Sequence, residues 1–176
     1  MKDNNVKIIG GKWKRKNISF HEAKGLRPTL GKVRETLFNW LGQDLNNKVC
    51  LDLFAGTGAL GFEALSRNAE LCIFVENNPS TFRKLLENKE NLKADNAIIK
   101  KIHADFFIKD NEKLFDIIFF DPPFILDNSI QIIELIRKFL KPNGVIYFET
   151  NIKLPENFLE IIKTSRAGKV YFHLVH

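Results

Sequence analysis

The sequence predicts an α/β protein with a Rossmann-like, doubly wound and mostly parallel sheet of seven strands. From residue 48 onward, short apolar segments alternate with longer amphipathic segments, which is typical of strands joined by crossover helices. In addition, a glycine-rich segment joins the first apolar segment to the first amphipathic one. That arrangement is expected where a strand turns into a helix beside a bound ligand.

The individual elements follow from the spacing of apolar residues. The predicted strands cover Lys48–Phe54, Glu70–Glu76, Ala97–Ala104, Leu114–Phe120 and Gly144–Thr150. The predicted helices cover Lys32–Gln43, Leu60–Arg67, Pro79–Ala94 and Ser129–Leu140. Phe158–Thr164 is predicted as a closing helix or strand, and Lys169–Leu174 as the last strand. At the other end, Val6–Ile9 and Lys14–Phe20 flank Gly10-Gly11 and predict a β-hairpin.

Charge is distributed unevenly along the 176 residues. The chain has 27 Lys and Arg against 21 Asp and Glu, a net charge of +6, yet residues 1–34 carry +8 and residues 35–176 carry −2. A basic segment that also contains aromatic residues such as Trp13 indicates contact with a polyanion, because a solvated tail would usually lack them. We therefore expect residues 1–30 to form a basic hairpin and linker that bind RNA, followed by a second unit over residues 31–176.

Composition limits the class of protein. Hydrophobic residues make up 44% of the chain, enough to fold, and the apolar runs are too short to cross a membrane. No charged-then-apolar leader opens the sequence, so we expect a soluble, cytoplasmic protein. Cys50 and Cys72 lie in predicted strands and are expected to be buried thiols. The four histidines lack metal-ligand spacing, so we expect no metal.

A motif for a nucleotide-like cofactor ends the first predicted strand. Gly56, Gly58 and Gly61 match G-x-G-x-x-G, and Glu76 ends the second strand, where a carboxylate can bind ribose hydroxyls. Asp52, however, would repel a pyrophosphate near this strand end and would attract the ammonium of an amino-acid tail. S-adenosylmethionine has such a tail, a positive sulfonium and no phosphate, so it fits the motif better than NAD does.

Two further acidic residues follow predicted strands three and four. Asp105 comes after Ala104, where a carboxylate can accept a hydrogen bond from the adenine N6 amine while Phe106 packs on the ring. Asp121 opens the segment Asp121–Phe124, in which the carboxylate and the proline carbonyls can accept hydrogen bonds and the aromatic ring can stack on a base. An Asp-Pro pair also marks an ordinary strand-ending turn. Together with the glycine motif, the segment favours a site for the exocyclic amine of a nucleobase.

These motifs resemble those of class I S-adenosylmethionine-dependent methyltransferases, and more narrowly those of the RsmD family, bacterial enzymes that methylate N2 of a guanine in 16S ribosomal RNA. The resemblance covers almost the whole chain and rests on Ile8–Trp13, Gly25–Thr29, Val33–Leu41, Asp52–Gly61 and Glu63–Arg67. The N-terminal segments separate this family from DNA amino-methyltransferases. The family usually has Gly where Arg15 stands, polar residues where Leu30-Gly31 stand, and a second acid where Asn77 follows Glu76.

The resemblance, together with the strand-end positions, assigns three sets of residues and a partner. The catalytic set comprises Asp121, Pro122, Pro123 and Phe124. The set expected to bind S-adenosyl-L-methionine comprises Asp52, Phe54, Ala55, Gly56, Thr57, Gly58, Gly61, Glu76, Asn77, Ala104, Asp105 and Phe106. The set expected to bind RNA comprises Lys12, Trp13, Lys14, Arg15, Lys16, Arg27, Thr29, Lys32 and Arg34. The expected partner is 16S ribosomal RNA in the small ribosomal subunit or its assembly intermediate, and the protein is expected to be a monomer.

Four alternatives stay open on the sequence. A DNA adenine-N6 or cytosine-N4 methyltransferase uses the same tetrapeptide, although 176 residues leave no room for the usual target-recognition region. A protein-glutamine methyltransferase is a poorer match to the basic N-terminal segment. An NAD(P)-dependent oxidoreductase explains Gly56–Gly61 and Glu76 but neither Asp52 nor Asp121–Phe124. A non-catalytic RNA-binding assembly factor would not need the acidic residues that follow or end the strands, which are Asp52, Glu76, Asp105 and Asp121.

Overall fold

A computed structural model describes residues 3–21, 31–122, 129–151, 154 and 160–176. Within these ranges the chain forms two sheets and several helices. The strands are β1 Asp3–Lys7, β2 Asn17–His21, β3 Val49–Asp52, β4 Leu71–Glu76, β5 Ala97–Lys101, β6 Phe115–Phe120, β7 Leu140–Thr150, β8 Ile161–Ala167 and β9 Val170–Val175. The helices are α1 Gly31–Leu41, α2 Ala59–Ser66, α3 Pro79–Leu92, α4 Ala104–Asp110 and α5 Ser129–Arg137.

The central sheet has seven strands in the order β5-β4-β3-β6-β7-β9-β8. Strands β3 to β7 run parallel, while β9 runs antiparallel to both β7 and β8. The chain moves outward from β3 to β5 and then returns to the other side of β3 with β6. Ligands of this architecture bind at the carboxyl ends of the strands beside such a switch point. The predicted Rossmann-like, mostly parallel sheet is confirmed.

Helices cover both faces of this sheet, because neighbouring residues of a strand point to opposite sides. On β3, Cys50 belongs to the cluster formed with α1, α2 and α3, whereas Leu51 belongs to the cluster formed with α4 and α5. Both residues have no exposed surface. The strands are therefore buried on both sides, as expected of a doubly wound fold.

The N-terminal hairpin is packed into the first of these two clusters. β1 and β2 pair in antiparallel fashion, and a 3-10 turn at Gly11–Trp13 lies between them. The buried apolar residues of the hairpin are Val6, Ile8, Trp13, Ile18 and Phe20. The side chain of Asn88 on α3 accepts from Ser19 N at 3.0 Å and donates to Ser19 O at 2.8 Å. The hairpin is thus part of the folded core as well as a basic segment.

Several element boundaries differ from the sequence prediction, and the differences near the site and at the end of the sheet are the largest. Ala104 was expected at the end of a strand, but β5 ends at Lys101 and Ala104 begins α4. Helix α5 ends at Arg137, because the chain turns there and Phe115 N donates to Phe139 O at 2.7 Å, which starts the pairing of β7 with β6. The closing segment is a strand, β8, which forms the edge of the sheet.

Membrane-spanning helices and metal clusters are both absent from the described ranges. No helix there combines the length and the apolar composition that crossing a membrane requires. The same ranges contain no group of three or more His, Cys, Asp and Glu residues that could hold a metal ion. Cys50 and Cys72 are buried free thiols on adjacent strands, as expected.

Candidate active site

The glycine motif forms a tight turn between β3 and α2. Gly56 and Gly58 adopt φ values of 49° and 77°, in the left-handed region that favours glycine. A Cβ atom at Gly58 would lie 2.7 Å from the Phe62 ring, and one at Gly61 would lie 2.3 Å from the Phe74 ring. The last glycine therefore lets α2 pack closely on β4, the role expected of the third glycine in this motif.

Asp52 is buried beneath the first turn of α2. Its side chain is 3% exposed, and its Oδ2 atom accepts a hydrogen bond from Gly61 N at 3.1 Å. Burial raises the pKa of Asp52 to about 7, the bond from Gly61 lowers it and nearby Glu76 raises it further. A carboxylate of the protein therefore occupies the helix N-terminus at which a pyrophosphate would bind.

Glu76 fixes the glycine turn to the end of β4. Its Oε2 atom accepts from Gly56 N at 3.1 Å, and its Oε1 atom accepts from Asn78 N at 2.7 Å. Each carboxylate oxygen can accept a second hydrogen bond, and the side chain is only half-buried. The position at the end of the strand next to β3 is the one from which a carboxylate can reach a ribose.

The other cofactor residues assigned from the sequence differ in exposure. Ala55 and Thr57 are buried, Phe54 is half-buried with its ring centroid 5.6 Å from that of Phe120, and Asn77 is exposed. Ala104 is buried at the start of α4, whereas the following residues Asp105 and Phe106 project outward; the Phe106 side chain is 62% exposed. An aromatic ring this exposed at the carboxyl end of a sheet can pack on a planar ligand.

Strand β6 delivers Asp121 to the same edge of the sheet. The strand ends at Phe120, and Asp121 and Pro122 follow it, both half-buried. Pro123 and Phe124 lie outside the described residues.

Carboxylates from three strands are level with one another at this edge. Register pairs Asp52 with both Phe74 and Phe119, and pairs Phe119 with Tyr147. These residues therefore lie at one level, on the face covered by α1, α2 and α3. Two residues further along their strands come the acids Glu76, Asp121 and Glu149. Because side chains repeat with a period of two, all three acids belong to the same face, above Asp52.

The residues assigned to RNA binding divide into exposed and buried ones. Lys12, Lys14, Arg15, Lys16 and Lys32 are exposed. Trp13 is 6% exposed and Arg34 is 4% exposed, so both side chains are explained by packing inside the protein rather than by contact with RNA. Arg15 has a φ of 71°, which explains why a glycine suits this position in the RsmD family. Arg27 and Thr29 lie outside the described residues.

A buried polar cluster that the sequence reasoning missed joins the hairpin to α2. Glu63 has no exposed surface; it accepts from Ile9 N at 2.8 Å and from Gly10 N at 2.7 Å. Arg67 Nε donates to it at 2.9 Å, and Arg34 Nη1 lies 3.7 Å away. The available signal was a lone acid inside the apolar segment Ala59–Ser66, because such a residue needs a buried partner.

The same cluster explains why Gly11 of the hairpin is a glycine. Ser66 Oγ accepts from Trp13 N at 2.9 Å and donates to Gly10 O at 2.6 Å. A Cβ atom at Gly11 would lie 1.8 Å from Ser66 O, and Gly11 has a φ of 72°. Only glycine therefore allows the hairpin backbone to approach the end of α2 this closely.

Comparison with known proteins agrees with this geometry. The family model described as "Conserved hypothetical protein 95" matches residues 6–176. Ribosomal RNA small subunit methyltransferase D of Haemophilus influenzae is 38% identical, over 96% of this chain and 92% of its own. The protein of the same name from Escherichia coli K12 is 36% identical, over 96% and 88%.

A solved structure resembles the whole chain. The structure titled "Putative methyltransferase yhhF from Escherichia coli" has a TM-score of 0.84 and 32% identity, and the match covers 97% of each chain. Because the family model spans nearly all of this sequence, and curated relatives above 30% identity cover most of both chains, the protein belongs to the ribosomal RNA small subunit methyltransferase D (RsmD) family.

Proposed function

We propose that this protein transfers a methyl group from S-adenosylmethionine to the exocyclic N2 amine of one guanine in the 16S ribosomal RNA of the small ribosomal subunit. The proposal rests on one observation above all. Asp121 and Pro122 directly follow β6 beside the switch point of the sheet, and Asp121 is level with Glu76 and above the buried Asp52. Membership of the RsmD family supports the same reaction, since relatives bear the name of ribosomal RNA small subunit methyltransferases.

The chain's own residues fit S-adenosylmethionine better than a dinucleotide. The Asp52 side chain occupies the start of α2 and is negatively charged above its pKa of about 7, which disfavours a phosphate there and attracts an ammonium or sulfonium group. We assign the ribose hydroxyls to Glu76, and the adenine to Asp105 and Phe106. When bound, S-adenosylmethionine supplies a methyl group on a positively charged sulfur, which keeps the bonding electron pair and becomes a neutral thioether.

The target amine needs help from the protein, because its nitrogen lone pair is delocalised into the guanine ring. In the proposed mechanism, the carboxylate of Asp121 and the carbonyl of Pro122 accept hydrogen bonds from its two N–H groups, and Phe124 stacks on the base. These contacts concentrate the lone pair on N2 and aim it at the methyl group, so alignment supplies most of the rate enhancement. As the lone pair forms the new C–N bond, N2 loses one proton, either to Asp121 or to water. The guanine has to leave its stack to enter this site.

We further propose that residues 1–30 are the RNA-binding extension of a catalytic unit formed by residues 31–176. The exposed cations of the hairpin would contact phosphates, which gives affinity and orientation without reading sequence. Base pairing and shape in the small subunit would then present the target guanine.

The test is transfer of labelled methyl groups to small subunits that lack the modification, with free 16S RNA and DNA in parallel. We expect N2-methylguanosine as the labelled nucleoside. Asp121→Ala should abolish transfer while cofactor binding, measured by calorimetry, persists. Asp95→Ala changes an exposed acid and should keep full activity.

Three outcomes would contradict the proposal. Unchanged turnover in Asp121→Ala would remove its mechanism. Label in DNA, or on adenine or cytosine, would replace the proposed substrate with that of a DNA amino-methyltransferase. Bound cofactor without transfer to any of the three substrates would favour an assembly factor.

A further inference from the structure

We propose that Glu149 is the residue that selects guanine, by accepting a hydrogen bond from the N1–H group of the target base. This inference rests on the proposed function, and it adds the group that distinguishes guanine from the other amino-bearing bases. Its basis is the placement of Glu149 beside Asp121, on the side of β6 away from the cofactor strands.

The placement follows from strand register. Phe119 pairs with Tyr147 and Phe120 pairs with Phe148, so continuing the parallel register sets Asp121 opposite Glu149. Phe119 and Tyr147 lie in the same core cluster, and Asp121 and Glu149 each come two residues later. Both carboxylates therefore belong to one face and one level. Strands β3 and β4, with the glycine turn and Glu76, lie on the other side of β6.

The side chain of Glu149 is oriented by Tyr147, which lies two residues earlier on the same strand, β7. Tyr147 has no exposed surface, and its hydroxyl donates to Glu149 Oε1 at 2.6 Å. Burial raises the pKa of Tyr147 well above its ordinary value, and the charges of Glu149 and of Asp121 raise it further, as expected if both carboxylates lie near the phenol. A carboxylate has about four acceptor positions, so it can accept from the Tyr147 hydroxyl and from a further donor at the same time. The core thus orients Glu149 at the edge where the base would bind.

Two adjacent carboxylates suit the hydrogen-bonding edge of guanine. Guanine presents N1–H and the N2 amine side by side, so Asp121 can accept from N2 while Glu149 accepts from N1. Adenine and cytosine instead carry a ring-nitrogen lone pair beside their amine, and that lone pair would face the charge of Glu149. A site built to accept a hydrogen bond rejects an analogue that lacks the donor, because a buried acceptor is left unpaired.

The experiment separates N1–H from the reacting amine. Small subunits are reconstituted with 16S RNA that carries either guanine or 2-aminopurine at the methylated position; 2-aminopurine keeps the amine but has a lone pair at N1. For the wild-type protein we expect kcat/KM to be roughly 10- to 100-fold lower with 2-aminopurine. Glu149→Gln should reduce this preference at least about tenfold, because its amide can donate to the N1 lone pair. Glu160→Gln, an exposed glutamate outside this edge, should retain the preference.

The outcomes distinguish this inference from the function on which it rests. If wild-type protein forms no N2-methylguanosine on any subunit, both proposals fall. If it forms N2-methylguanosine but uses 2-aminopurine equally well, only the role of Glu149 is refuted. An equal loss on both bases in Glu149→Gln would likewise refute it, because a purely structural role lowers both rates without changing their ratio. Equal use of both bases by the wild-type protein would refute the inference even if that variant does not fold, and Glu149→Asp, which keeps the carboxylate but shortens the side chain, would then test the role of this residue by lowering kcat/KM on guanine more than on 2-aminopurine.

Discussion

Glu63 and Arg67 form an ion pair inside the protein, one helical turn apart on α2, with Glu63 Oε1 2.9 Å from Arg67 Nε. Their side chains are 0% and 4% exposed. The same carboxylate accepts hydrogen bonds from Ile9 N and Gly10 N, so a single side chain satisfies the hairpin backbone and an arginine together. Such a charge is tolerated in the core only because all of these donors surround it.

Replacing Glu63 should therefore destabilise the protein strongly. We expect Glu63→Gln to lower the free energy of unfolding by about 3–5 kcal/mol, because it leaves buried cations and amides without their acceptor. Urea denaturation measures this. The matched control is Glu87→Gln, which breaks the Lys84–Glu87 pair on the surface of α3, where Glu87 is 55% exposed; it should cost less than about 1 kcal/mol. Equal losses of unfolding free energy in the two variants would contradict the role of Glu63 in joining the hairpin to α2.

Asp52 should make stability fall as pH rises through the weakly acidic range. Burial raises its pKa in the folded protein from 3.8 to about 7. Between these two values the unfolded chain has released the proton while the folded protein retains it, so the free energy of unfolding decreases with increasing pH and levels off above about 7. Asp52→Asn should flatten this part of the profile.

The measurement is urea unfolding at several pH values between 4 and 8, with Asp95→Asn as control because Asp95 is an exposed carboxyl group away from the site. Its profile should follow that of the wild type. A wild-type slope that survives in Asp52→Asn would assign the titration to another group.

The charges of the hairpin should contribute to RNA affinity without contributing to stability. Lys12, Lys14, Arg15 and Lys16 are exposed, whereas deleting residues 1–20 would also remove buried core residues. Replacing the four cations by glutamine should weaken binding to the small subunit, and the salt slope should fall by about 0.7–0.9 for each phosphate that is no longer neutralised. Filter binding between 50 and 200 mM salt measures both effects.

A second variant controls for net charge. It replaces four exposed lysines elsewhere, which are Lys93, Lys100, Lys101 and Lys113. Equal losses of affinity in the two variants would show that overall charge, rather than the hairpin, determines binding.

Most of the fold could be predicted from local sequence patterns. Apolar strands such as Phe115–Phe120 are buried on both faces, so their composition alone predicted them as strands. Helix α4 was missed because its seven residues, Ala104–Asp110, follow β5 almost directly and offer too few turns for a periodic pattern. The end of α5 was misplaced because the pairing of Leu140 with Phe115 is a long-range contact.

The site was only partly accessible from sequence. Asp52, Glu76 and Asp121 end strands, so strand prediction alone placed them at one edge. Glu149 was overlooked because it lies in the last strand of the parallel set with no motif around it, and only register relates it to Asp121. Arg34 was predicted to bind RNA, yet it is buried against Glu63, and a sequence does not reveal which arginine has a buried partner.

The docking of the hairpin on α2 has a geometric consequence for substrate choice. Gly58 and Ser66 stand at opposite ends of this helix, which rises about 1.5 Å per residue, so the cofactor turn and the hairpin contact lie about 12 Å apart along its axis. Because hydrogen bonds from Ile9 N and Gly10 N to Glu63 and from Trp13 N to Ser66 join the hairpin to this helix, we expect the spacing to stay the same when RNA binds. In the proposed complex, α2 would set the distance between the phosphates bound by the hairpin and the nucleotide in the active site. The architecture of the subunit would then select the guanine to be methylated.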